Sequence, residues 1–150
     1  MKIEIRQKPF NPYQEIEKYQ ECTKFHGGVG ATASFIGTMR DFNQQQKVNG
    51  MILEYYPKMT EKYINHVCIE AMQKWSLLDV LVIHSVGKIK ISDVIVLIVV
   101  WSSHRGDAMD ACRYILEELK SKAPFWKKEQ LADGDRWVER NSSGYVENKL

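Results

Sequence analysis

The run from Val94 to Val100, seven aliphatic residues closed by Trp101, is the most restrictive feature of this chain. A strand sends successive side chains to opposite faces, so an unbroken apolar run has no face to offer water. The run is also far short of the ~20 residues that span a bilayer. It predicts a central strand covered on both sides, or one pressed into a subunit interface.

The rest of the chain supplies the cover. Lys2–Arg6 reads as a short strand. Asn11 followed by Pro12 marks a helix start, with Gln14 in capping-box position, and the helix runs to about Phe25 before His26-Gly27-Gly28 stops it. Val29–Gly37 reads as a strand, Asp41–Asn49 as a polar, mobile loop, and Gly50–Tyr56 as a strand ended by Pro57. Thr60–Trp75 has clear helical period, with Tyr63, Ile64, Val67, Cys68, Ala71, Met72 and Trp75 on one face. Asp79–Lys88 and Asp93–Trp101 are strands joined near Lys90–Ser92, and Ser102–Lys120 returns to helical period. Pro124–Leu131 and Arg136–Glu139 form a small paired β addition across an Asp133-Gly134 turn, and the tail from about 141 is polar and frayed. With 150 residues and no linker or repeat, this is one α/β or α+β domain over residues 1–150.

Charge and cysteine content exclude several classes. The net charge of +2 demands neither nucleic acid nor membrane, so any basic site is local. Three scattered cysteines, Cys22, Cys68 and Cys112, make neither a disulfide framework nor a zinc knuckle, and read as small apolar-face residues. The alternating start, Met1 to Arg6, lacks a signal-peptide core, so a reducing cytoplasm is the expected compartment.

Three stretches could carry chemistry. Ser102-Ser103-His104-Arg105-Gly106 joins a buried strand to a helix start, where free N–H groups attract phosphate or carboxylate. The run from Lys120 to Lys128 places lysines over a Pro-aromatic turn. There Phe125 and Trp126 can keep an amine partly dry, and neighbouring lysines lower its proton affinity. Arg40 follows Thr38 and Met39 where a strand enters the polar loop, and a guanidinium can fork onto a phosphate. A capped helix, snorkelling lysines and a surface arginine are the bland alternatives. The other histidines do not form a ligand pair: His26 sits by a glycine turn, His66 on a polar helix face, and His84 inside a strand as a structural residue. No metal and no cofactor is expected.

The segments GATASFIGTMRDFN, LEYYPKMTEK, VIHSVGKI, SSHRGDAMDAC, LKSKAPFWKKE and GDRWVE occur in this order between Gly30 and Glu139. Together they resemble the large, catalytic subunit of molybdopterin synthase, the MoaE family. The resemblance implies an α/β hammerhead fold with an added antiparallel β region. It implies sulfur insertion into cyclic pyranopterin monophosphate, to make the dithiolene of molybdopterin. The donor would be the C-terminal glycine thiocarboxylate of a small ubiquitin-like subunit, docked at each end of a large-subunit homodimer in a heterotetramer. By the same resemblance Lys120 matches the essential lysine and Lys127 a second functional one. Thr38, Met39 and Arg40, then His104 and Arg105, then Lys127, Lys128 and Glu129 match substrate-contact segments. Arg140 is a further candidate, and Phe35 another. This chain ends in Lys149-Leu150 and not in Gly-Gly, so the carrier would be a partner in trans.

Two rival readings remain at this level. Lys120–Lys128 with its two aromatics could stack on single-stranded RNA, or the chain could be a non-catalytic assembly subunit of the same fold.

Overall fold

The computed structural model describes residues 1–25, 27–44, 46–139 and 144–145. In chain order its elements are β1 (Lys2–Arg6), α1 (Pro12–Thr23), β2 (Ala31–Thr38), β3 (Phe42–Asn43), β4 (Gln46–Lys47), β5 (Gly50–Tyr55), α2 (Pro57–Lys74), β6 (Leu77–Ser85), β7 (Gly87–Lys90), β8 (Val94–Ser102), α3 (Arg105–Lys122), β9 (Phe125–Leu131) and β10 (Gly134–Trp137). One sheet has the order β1-β6-β8-β2, with β1 parallel to β6 and the other pairs antiparallel. A second, fully antiparallel sheet has the order β10-β9-β5-β7, and β3 pairs with β4 alone.

The apolar run lies in β8, an interior strand covered on both faces. Val96, Ile98 and Val100 meet Ile64, Val67, Cys68 and Ala71 of α2 and Ala111, Ile115 and Leu119 of α3. Leu97, Val99 and Trp101 meet Ile16 and Tyr19 of α1, with Phe25 beyond it. Trp101 stacks against Tyr19 and Phe25, each ring centroid 5.3 Å away. Each such fully buried side chain contributes about 1.5–3 kcal/mol of transfer free energy, so this layer holds the helices in place. A smaller core of Met39, Val48, Met51, Leu53, Val86 and Ile89 lies under the second sheet.

Several boundaries differ from the sequence reading. The strand expected over Asp79–Lys88 is two strands in two sheets, because the chain turns at Gly87 (φ +79°). The apolar alternation continues across that turn, as Val86 and Ile89 enter the smaller core, so periodicity does not reveal it. The stretch expected to be a mobile loop, Asp41–Asn49, contains the β3–β4 pair and the fully buried Val48, whose N–H donates to Asp41 O at 2.8 Å. α1 ends at Lys24, which adopts the left-handed conformation (φ 46°), ahead of the glycines. Its start is as expected, with the Asn11 side chain accepting from the N–H of Tyr13 and Gln14. α2 begins at Pro57, three residues early, and α3 at Arg105, three residues late. Cys68 and Cys112 are buried, whereas Cys22 is exposed and not part of the core. Most of the tail expected to fray lies outside the described residues. Among those described, no helix is long and apolar enough to cross a membrane.

Candidate active site

Three separated segments converge on one cleft of about 1360 Å³. The first is the end of β2. A bulge between Gly37 and Thr38 breaks the register with β8, and such bulges re-aim the side chains that follow. Met39 is pinned there: its N–H donates to Asp93 O and its C=O accepts from Ser92 N–H, both at 2.9 Å, while its side chain enters the smaller core. Thr38 and Arg40, on either side of this anchor, are exposed and line the cleft, and Phe35 lines it from within β2.

The second segment is the end of α3. Leu119 is buried against β8, and Lys120, the next residue, is half-buried at the rim and lines the cleft. The third is β9. Alternation puts Phe125, Lys127 and Glu129 on one face of this strand, and all three line the cleft. Lys128 points to the other side, where its amine pairs with Asp135 at 3.1 Å and lies 5.7 Å from the Trp137 ring centroid. Lys122, also in the basic run, is paired with Glu118 at 2.8 Å.

Burial holds the Lys127 amine below the usual lysine range, and the nearby Lys120 lowers it further against the opposing pull of Glu129. A lysine in this state offers more free amine near neutrality than a solvated one. Glu129 is buried and both its oxygens are engaged. Oε1 accepts from Asn43 Nδ2 at 2.5 Å and Oε2 from Arg136 Nη2 at 2.7 Å. Arg136 Nη1 continues to Gln46 Oε1 at 2.7 Å, so the β3–β4 pair is clipped to β9 and β10 as a wall of the cleft.

His84 also lines the cleft. It is structural in that Nδ1 lies 2.8 Å from Ser85 O, but its ring faces the site and stacks on Phe125 at 4.1 Å. Neither its position within a strand nor a spacing to other histidines marks it as a cleft residue. Asn43 and Arg136 likewise have no local signal, since their partner Glu129 is 86 and 7 residues away.

His104 and Arg105 stand apart. Both are exposed at the opposite end of α3, and 16 residues of helical rise put His104 about 24 Å from Lys120 along the axis. Arg140 lies outside the described residues. Among the described residues no group of three His, Cys, Asp or Glu side chains is arranged to hold a metal.

An α/β chain with two lysines and an arginine gathered over an aromatic floor is built as an enzyme subunit for an anionic substrate, with an amine available for proton or acyl chemistry. Comparison with known proteins is specific. Residues 5–122 match the family model described as "MoaE protein", and the chain belongs to that family. It is 42% identical over 143 residues to the molybdopterin synthase catalytic subunit of Pseudomonas aeruginosa, covering 95% of this chain and 93% of that protein. The corresponding subunit of Ralstonia nicotianae is 57% identical over 111 residues, which are 74% of this chain and 63% of that protein. The crystal structure of molybdopterin synthase from Staphylococcus aureus superposes with a TM-score of 0.80 at 35% identity, covering 92% of this chain and 98% of that one.

Proposed function

We propose that this chain is the sulfur-inserting subunit of a molybdopterin synthase, acting on cyclic pyranopterin monophosphate. The sulfur comes from the C-terminal thiocarboxylate of a small ubiquitin-like partner. The observation that carries the reading is the meeting of Arg40, Lys120 and Lys127, from three distant segments, around one cleft. A phosphate needs fixed cations, and an acyl-sulfur group entering beside it needs an amine and a positive field. Arg40 and Lys127 hold the phosphate and stabilise developing negative charge. Lys120 assists attack by the thiocarboxylate, through proton transfer or an amide-forming contact with the tail, and water releases the spent tail as carboxylate. The curated relatives are named catalytic subunits, which fits a further subunit in trans.

His104 and Arg105 enter this reading through a second copy. The cleft extends along α3 past Leu116, Arg113 and Met109, and Met109 is 67% exposed. This stripe recurs at three- and four-residue steps, the spacing by which one helix packs on another. A two-fold axis beside Cys112, midway between positions 104 and 120, sets two α3 helices antiparallel. His104 and Arg105 of one copy then face Lys120 of the other, in a homodimer that carries a small subunit at each end. The finer assignments follow the same reading: an α/β hammerhead fold with β5, β7, β9 and β10 as the added antiparallel region, one domain over residues 1–150, and a reducing compartment that keeps three thiols unpaired. An RNA-stacking role for Lys120–Lys128 is not favoured, because Lys122 and Lys128 are engaged with Glu118 and Asp135.

Reconstitution tests the reading. The chain, mixed with a thiocarboxylated small subunit and the cyclic pterin, should yield dithiolene product. The Lys120→Ala variant should fold normally and yield none. Near-normal turnover in that variant would reject the assignment.

A further inference from the structure

Thr60 is fully buried just inside the start of α2, at the head of the stripe that continues through Ile64, Val67 and Cys68 onto β8. A threonine inside a helix commonly turns its hydroxyl back onto the carbonyl one turn earlier. Here that carbonyl, Tyr56 O, accepts from the Thr60 N–H at 2.8 Å, and the hydroxyl leaves the helix. It donates to Pro124 O at 3.0 Å, across 64 residues of sequence. A carbonyl only accepts, so the hydroxyl proton is committed to this bond.

Pro124 is the joint of the basic run. Lys120 lies in the last turn of α3 and Lys127 near the start of β9, and both line the cleft. Ala123 caps α3 in an extended conformation (φ −64°, ψ 137°), as the residue before a proline favours. The Phe125 N–H donates to Ala123 O at 2.8 Å, so the chain turns tightly between helix and strand. Pro124 has no N–H, which leaves its carbonyl as the main-chain group that can hold the joint. Beyond it, β9 is set by its ladder with β5, Tyr55 opposite Phe125 and Leu53 opposite Lys127, and by the edge-on contact of Trp126 with Tyr56 at 4.9 Å. Tyr55, Tyr56 and Thr60 thus form one β5–α2 corner that grips the α3–β9 corner.

Packing alone does not need the hydroxyl. Valine has nearly the same shape, and an apolar contact has little direction, whereas a buried hydroxyl–carbonyl bond fixes how the joint is turned. We propose that Thr60 is a positioning residue for sulfur transfer: its hydroxyl holds the Pro124 carbonyl and so sets Lys120 of α3 and Lys127 of β9 against each other in one cleft. This rests on the reading of the two lysines given above. Like charges repel, so a joint free to swing would let the amines part. Lys120 lowers the proton affinity of Lys127, which makes their spacing measurable.

Competitive acylation of Lys127 across pH, read by mass spectrometry, reports that spacing without turnover. With Thr60 in place, Lys120→Met should raise the Lys127 labelling midpoint, and no rise overturns the proposal. In Thr60→Val, which keeps the shape and loses the hydroxyl, the rise should shrink and kcat should fall about 10–100-fold. Thr60→Ser, which loses a methyl and keeps the hydroxyl, should restore the rise and most of kcat. A full-sized rise or near-normal kcat in a folded Thr60→Val overturns the proposal, as does equal damage by the serine variant. If Thr60→Val does not fold, Thr60→Ala against Thr60→Ser makes the same comparison, and an equal rise in the two overturns it. If the wild-type assembly makes no dithiolene, the functional reading fails, while the labelling still decides whether Thr60 holds the two lysines together.

Discussion

Arg136 and Glu129 face each other across the β9–β10 hairpin, register partners whose side chains close to 2.7 Å on the cleft side. The arginine is about one-third exposed, but the carboxylate is buried, so the pair is asymmetric. Removing the guanidinium strands a buried anion on Asn43 alone and frees Gln46. Arg136→Leu should therefore cost about 1–3 kcal/mol in urea unfolding. It should also raise KM for the pterin more than it lowers kcat, because a wall is loosened and no reacting group is lost. Arg136→Lys should recover part of the stability and little of the geometry, since an ammonium cannot reach Glu129 and Gln46 as a fork does. A stability unchanged in Arg136→Leu would remove the clip from the account.

Lys127 should cost the fold stability. Its folded proton affinity is depressed by burial and by Lys120, so below that depressed value the folded state holds an uncomfortable charge that the unfolded chain holds freely. As pH rises from there toward the ordinary lysine value, the unfolded chain binds more protons than the folded one, and stability increases. Lys127→Met should accordingly be more stable than wild type at pH 7, by about 0.5–2 kcal/mol, while losing sulfur transfer. The advantage should shrink as pH climbs toward 10. Thermal unfolding of both proteins across pH 6–10 checks the trend, and a less stable Lys127→Met at pH 7 would contradict it.

His84 carries a pH dependence of the same sign at lower pH. Burial lowers it to about 4 from the ordinary 6.5. Between those values the unfolded chain takes up a proton that the folded chain refuses. Stability is fully present above pH 6.5 and is lost as pH falls toward 4, at up to about 1.4 kcal/mol per pH unit from this group. Denaturant titrations at pH 7 and pH 4.5 should show a loss that is smaller in His84→Phe, which has no proton to bind. Parallel losses in the two proteins would assign the acid sensitivity to other groups.

What the sequence discloses follows from where its signals are local. The β8 run announces its own position because a strand with two apolar faces has only one kind of place in a fold. Asn11-Pro12 announces α1 through a hydrogen bond made within three residues. Lys120 is legible as a rim residue because Leu119 beside it completes a helical stripe. The clip of Glu129, Asn43 and Arg136 is illegible, because a polar string such as Asp41–Asn49 gives no sign of which distant carboxylate will hold it. The switch of sheets at Gly87 is hidden by an apolar alternation that both sheets can use. His84 is read correctly as a bonded strand residue, yet its place in the cleft depends on Phe125, 41 positions on, swinging over it.

The separation of His104 from Lys120 yields the last prediction. If each cleft joins Lys120, Lys127 and Arg40 of one copy to His104 and Arg105 of the other, two inactive variants should rescue each other. Lys120→Ala and His104→Ala chains, co-expressed in equal amount, form mixed dimers in which one cleft carries both lesions and the other carries neither. Half the dimers are mixed and half their clefts are intact, so activity should return to about one quarter of wild type under two-fold symmetry. Dimers of each variant alone should stay near background. Mixing after purification should restore activity only as fast as subunits exchange, which a size- or mass-resolved exchange measurement reports independently. Exchange without rescue would mean that a cleft draws His104 from no partner, and α3 would then need another explanation for the apolar stripe it presents at Met109 and Leu116.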